Sequence, residues 1–155
     1  MRNTTLLLLL LASSLLVSCV LFADQIYSFD FTNNTDESIG LIVDFSPKDN
    51  TITKGSYYVK EIIPGKKVSV DNDDSWDRMV KDSMHFYIVK VIPNLSEKKQ
   101  QSQLSQTDIE RIAEEDIYAR ITYTKKRFKE TWEFCFPPPK GTKIVYYPAY
   151  SNAKK

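Results

Sequence analysis

The chain holds one histidine and two cysteines, and their surroundings decide what chemistry they can support. His85 lies in the apolar stretch Met84 to Ile92, and Cys135 sits between Phe134 and Phe136. A thiol beside an imidazole is a workable nucleophile and base. A Ser-His-Asp arrangement would need His85 next to an activated serine, and no Gly-x-Ser-x-Gly turn supplies one. Without such a motif, Cys135 reads as a small apolar filler in a strand, and no enzymatic activity is expected. Asp71, Asp73, Ser75 and Asp82 match positions 1, 3, 5 and 12 of a calcium loop. The sixth position is Trp76, where that loop's sharp turn needs glycine. Acids at the start of a short helix explain the same residues, so neither a metal nor a cofactor is expected.

Binding chemistry is better represented than catalysis. Lys125-Lys126-Arg127, Lys129 and Lys140 stand near Trp132, Tyr146, Tyr147 and Tyr150. Cations interleaved with aromatic rings suit stacking and polar recognition. Trp132, Tyr146 and Tyr147 are therefore candidate contacts for a protein or a glycan. Glu130 and Glu133 dilute the local charge, so a solvated basic hairpin is the plainer expectation for Lys125 to Glu130. Over the 155 residues Lys plus Arg number 21 against 20 for Asp plus Glu, a formal charge of +1. That balance argues against nucleic acid as a partner, because such binding draws on phosphate neutralisation.

The second cysteine has a different setting. A weakly basic head, Met1 to Thr5, precedes the leucine run Leu6 to Leu11, and apolar or small residues continue to Ala23. This is the layout of a secretory signal. Leu16-Val17-Ser18-Cys19 fits a bacterial lipobox, with a small residue before the thiol that receives lipid. Residues 1–18 are then the signal peptide, 19–25 a lipid-anchored tether, and Cys19 the acylated N-terminus that holds the protein to a membrane. Stable anchoring needs more than one acyl chain, since each buried CH₂ adds only about 0.8 kcal/mol. Two alternatives stay open: cleavage after Ala23, which places the bulky Leu21 at a small-residue position, and an uncleaved anchor of 17 apolar or small residues, Leu6 to Phe22. Removal of residues 1–18 takes Arg2 with it and leaves 137 residues of zero formal charge. One remaining cysteine cannot form an intrachain disulfide, so the fold must stand on its core.

The elements that position these residues follow from period-two alternation. Tyr27, Phe29 and Phe31 share one face, as do Ile39, Leu41, Val43 and Phe45 on a second strand. Tyr57 to Ile63 reads as a third strand, and Pro64-Gly65 as a tight reversal into Lys66 to Val70. Trp76, Met79 and Val80 suit a short helix. Met84 to Ile92 is largely apolar on both faces, as a central strand requires. Pro93 to Gln106 reads as an exposed loop, and Thr107 to Glu110 as a capping box opening a second helix. Ile117 to Tyr123 alternates again, Thr131 to Phe136 ends at a run of three prolines, and Lys143 to Tyr147 is a weak edge strand. The expected fold is mainly β: an antiparallel β-sandwich of about seven strands over residues 26–147 with two short helices, followed by a flexible tail at 148–155. A barrel would fit the same pattern.

A resemblance rests on the order of these features. A lipobox, an Asn/Thr turn before an aliphatic strand, a Pro-Gly turn, an acidic Ser-Trp helix start, Asp82-Ser83-Met84-His85-Phe86-Tyr87-Ile88-Val89 and an aromatic strand closing on proline occur together. The chain from Cys19 to Pro139 resembles small uncharacterised cell-envelope lipoproteins of Bacteroidota. The resemblance implies a β-rich, lipid-anchored domain in the bacterial cell envelope. Asp82-Ser83-Met84 is similar to the O-glycosylation sequon of that group, which makes Ser83 the candidate acceptor; sugar there would shield the surface. Asn33 and Asn94 fit the eukaryotic N-glycosylation sequon, which a lipobox makes irrelevant. The expected function is a non-enzymatic binding or accessory domain on the outer membrane, facing the periplasm. A structural subunit of an outer-membrane assembly and an envelope hydrolase are the alternatives.

Overall fold

A computed structural model describes residues 27–49, 51–72, 75–93, 95 and 101–148. The signal peptide, the tether, Cys19, Asp73, Asp74, Asn94, Tyr150 and the tail beyond 148 lie outside these residues. Among the described residues nine strands form two sheets. The larger sheet holds β2 (Ile39–Asp44), β3 (Tyr57–Ile62), β5 (Ser83–Val89), β6 (Gln101–Gln103), β7 (Ile117–Thr124) and β9 (Lys143–Tyr146) in the order β6-β3-β2-β5-β7-β9. The smaller holds β1 (Tyr27–Asn33), β4 (Lys67–Asn72) and β8 (Glu133–Phe136) in the order β4-β1-β8. All ladders are antiparallel except β1 with β8, which is parallel. The fold is mainly β, as expected, and two separate sheets settle it as a sandwich rather than a barrel.

Alternation explains the main core. Phe29 and Phe31 of β1, Val70 of β4, and Phe134 and Phe136 of β8 point inward from the small sheet. Leu41, Val43, Met84, Phe86, Ile88, Ala119, Ile121 and Tyr123 meet them from the large sheet. Phe86 is central: its ring lies 5.4 Å from Phe29, 5.7 Å from Phe31, 5.1 Å from Phe134 and 5.2 Å from Tyr123. Burying side chains of this kind contributes about 1.5–3 kcal/mol each.

Pro64-Gly65 does make a turn, with the Lys66 amide donating to the Ile63 carbonyl at 3.1 Å and Gly65 at φ +69. It is not a hairpin, however. It carries the chain from the large sheet to the small one, because β3 pairs with β2 and β6 while β4 pairs with β1. Asn33 fixes this corner. Its buried amide donates to the carbonyls of Glu37 and Ile62, each at 2.7 Å, and its oxygen accepts from the Thr35 amide and hydroxyl. Both amide hydrogens are thus engaged, and no glycan could attach there without dismantling the corner.

Two segments differ from the sequence expectation. The stretch read as an exposed loop before Gln106 contributes β6 and two buried leucines, Leu95 and Leu104. Together with Ile92, Ile109 and Ile112 they cover Ile42, Tyr58, Tyr87 and Val89 on the outer face of the large sheet. This second core is why β2 and β5 are apolar on both faces. Gly40 belongs to the same crowding: a Cβ there would come within 2.8 Å of Val89 Cγ2. The cap of α2 (Gln106–Glu110) is Ser105 with Asp108, not Thr107 with Glu110. The expected basic hairpin at 125–130 is instead a helix, α3 (Lys125–Glu130), capped by the Thr124 hydroxyl and seated on buried Phe128. A single apolar residue in six gives no helical period to read. The helix starting at Trp76 forms as α1 (Trp76–Met79).

Candidate functional site

Strand register assembles polar residues on the outer face of the large sheet. One row runs Asp44, His85, Thr122, Lys143 across β2, β5, β7 and β9. The next runs Ile42, Tyr87, Arg120, Val145. Tyr87 is fully buried, His85 is 8% exposed and Arg120 is 9% exposed. The Asp44 carboxylate accepts from the Thr53 amide at 3.0 Å, the Thr53 hydroxyl at 2.8 Å and the Ser46 amide at 3.1 Å. It therefore pins the loop after β2 and sets a negative charge at one end of the row.

Lys143 stands at the other end, and Arg120 lies one row along on β7. Its guanidinium hydrogen-bonds the Tyr87 phenol, while its Nε and Nη1 have no hydrogen-bond partner among the described residues. Buried donors in this condition are rare, and each costs free energy unless water or a ligand satisfies it. Burial raises the Tyr87 phenol to about 12, with Asp44 pushing the same way, so it stays protonated. Because Arg120 donates to the phenol oxygen, the phenol proton is left to face His85 Nδ1 at 3.4 Å. A neutral ring can accept it. Burial lowers the His85 pKa, Arg120 and Lys143 lower it further, and Asp44 opposes them.

A pH dependence follows. The unfolded chain protonates its histidine near 6.5, whereas the folded chain resists until lower pH. Below about 6.5 the unfolded state binds more protons, so stability falls on acidification until the folded-state pKa is passed. Urea midpoints at pH 7.5 and 5.5 are expected to show a smaller decline in His85→Gln than in the parent. Equal declines would show that His85 is not the source.

The residues singled out for binding do not converge. Trp132, 49% exposed, stacks edge-on to Phe128 at 5.5 Å and lines a groove of about 170 Å³ with Tyr27, Val80, Phe128 and Lys129. This groove lies where β7 passes into α3. Tyr146 pairs with Ala119, and the Tyr147 amide donates to the Tyr118 carbonyl, both toward the start of β7. Tyr146 is 47% exposed and Tyr147 half-buried. Trp132 and the tyrosine pair therefore sit at opposite ends of one strand and form no common aromatic face. Ser83 begins β5, half-buried, opposite Thr124, and lines a shallow cleft with Ser46, Pro47 and Asp82.

The thiol and the imidazole are also apart. Cys135 lies on β8 of the small sheet, between the core residues Phe134 and Phe136. His85 lies on the outer face of the large sheet, with the core between them. Burial raises the Cys135 pKa, which leaves it a poor nucleophile. It is half-exposed rather than a core filler. Among the described residues no group of three or more His, Cys, Asp or Glu side chains could hold a metal ion. No described helix is long and apolar enough to cross a membrane.

The sequence pattern missed Arg120 as a site residue. Alternation alone assigns it to a wet face, and only the register that sets it between Tyr87 and Val145 shows it out of water. Fold and site together define a two-sheet β-sandwich whose large sheet carries a polar row on its outer face, buried at Asp44 and His85. The chain matches no family model, no curated protein and no solved structure.

Proposed function

We propose that this is a lipid-anchored protein of the bacterial cell envelope, held by acyl chains on Cys19 in the outer membrane and facing the periplasm. Its sandwich serves as a non-enzymatic binding or accessory domain for an envelope protein or glycan. The observation that carries this is the lipobox Leu16 to Cys19, with only residues 20–26 between the lipidated position and Tyr27, where β1 begins. Seven extended residues reach about 25 Å at most, so the sandwich would ride close to the bilayer. The separation of Cys135 from His85 across the core supports a non-enzymatic role. The exposed Trp132 beside its groove supports a binding one.

A structural subunit is the second reading, and the β9 edge favours it. Val145 and Tyr146 are 41% and 47% exposed on the outermost strand of the large sheet. Such an edge can accept a strand from another chain. The anchor is tested by fractionating cells that express the protein or Cys19→Ala. The parent is expected in the detergent-soluble membrane fraction and the variant in the soluble fraction. Equal membrane partition of both would reject lipid anchoring.

A further inference from the structure

The near-balanced charge of the chain, +1 overall, hides a local concentration of positive charge. A cleft of about 320 Å³ opens between the end of β7, the first turn of α3 and the turn that leads into β9. Its cations are Arg127, Lys140 and Lys143, and its hydroxyls are Thr122, Thr124 and Thr142. No carboxylate is among its described lining residues. The nearest acid recorded on these cations is Glu130, 3.4 Å from Arg127, and both side chains are about half exposed. A pair of that kind contributes little and exchanges readily for a better anion. The Thr124 oxygen already accepts from the Arg127 amide, so its own proton remains to donate. Gly141 turns the backbone at φ +87 between the two lysines, which places both on one rim. Thr122 also belongs to the polar row, and Arg120 follows one row along the same face with two unsatisfied donors. Arg120 thus adds a further cation on the same face of the sheet.

We infer that this cleft binds a phosphate group, its oxygens held by Arg127, Lys140 and Lys143 and by the threonine hydroxyls. A phosphate monoester offers three oxygens in a tetrahedral array, which three cations and three hydroxyls can share. A carboxylate would leave much of that donor set idle. Guanidinium recognises phosphate through paired donors, and lysine adds point charge. The inference rests on the binding-domain reading and names the ligand chemistry for it. The phosphate belongs either to a free ion or to a lipid or sugar headgroup.

The test uses the full-length protein in neutral detergent, with amide NMR shifts followed during titration with inorganic phosphate and, separately, with glycerol 3-phosphate. Both are expected to move the amides of Gly141, Thr142 and Lys143 in a saturable way, while sodium chloride at matched ionic strength does not. Lys140→Glu combined with Lys143→Glu, both exposed positions, is expected to weaken binding at least about tenfold. Tighter binding of glycerol 3-phosphate identifies a headgroup as the source; equal or weaker binding identifies the free ion. Absence of saturable shifts, the same shifts with chloride, or unchanged affinity in the double variant would overturn the inference. Because no bilayer is involved, such a failure is separate from failure of the anchor.

Discussion

Replacing Phe86 by alanine is expected to remove about 3–5 kcal/mol of folding stability. The ring is fully buried and touches Phe29, Phe31, Tyr123 and Phe134 at centroid distances between 5.1 and 5.7 Å. It thus joins both sheets, and its loss opens a void that neither sheet can close without moving the other. Aromatic pairs in edge-on or offset geometry add about 0.5–1.5 kcal/mol beyond their burial. Domains of this size are stable by roughly 5–15 kcal/mol in total, so the variant should sit near the edge of folding. Urea denaturation reads the change, with Val145→Ala as a control at an exposed outer-face position. The control should move stability by less than about 0.5 kcal/mol. A loss below about 1 kcal/mol for Phe86→Ala would mean the two sheets do not pack through this ring.

The second large effect concerns a polar residue. Asn33→Ala is expected to cost about 2–4 kcal/mol, because it leaves the Ile62 carbonyl buried without its donor and frees Glu37 and Thr35 as well. Asn33→Asp separates hydrogen bonding from size. It keeps the acceptor for Thr35 but turns both donors into a buried negative charge facing two carbonyls. It should be at least as destabilising as alanine at pH 7, and part of the loss should return at acid pH as the carboxyl regains a proton to donate. Denaturation of the two variants at pH 7 and 4, each compared with the parent at the same pH, measures this. An aspartate variant as stable as the parent at pH 7 would show that the Asn33 amide hydrogens do not hold the corner.

These two residues mark how far the sequence could be read. Phe86 is visible as core because the run Met84 to Val89 is largely apolar on both faces, and such a strand must be central. Asn33 looked like the first residue of a polar turn, which it partly is: it ends β1 and its side chain organises the turn that follows. Nothing local says that Ile62, 29 positions away, supplies its acceptor. The second core was hidden for a related reason. Leu95 and Leu104 stand alone in polar surroundings, and only the packing of Tyr58 and Tyr87 on the same outer face makes them interior. α3 escaped notice because its helical character comes from a capping hydroxyl and one buried ring rather than from a stripe.

The site divides the same way. Single residues were legible by type: His85 in a dry strand, Trp132 beside cations, Tyr146 and Tyr147 on an edge. Their grouping was not, since it depends on register. Asp44 faces His85 because β2 and β5 pair in that register, and Arg120 meets Tyr87 because β5 and β7 pair one-for-one from Ser83 opposite Thr124 to Ile88 opposite Ala119. The basic cleft needs the turn at Gly141 to bring Lys140 and Lys143 to Arg127. Composition averaged that charge away.

The account depends most on Cys19. Mass spectrometry of the N-terminal peptide released from purified, membrane-extracted protein tests it at the atom concerned. The expected result is a peptide that begins at Cys19 and carries the added mass of more than one acyl chain. A peptide beginning at Asp24 with no lipid, or one still beginning at Met1, would contradict it.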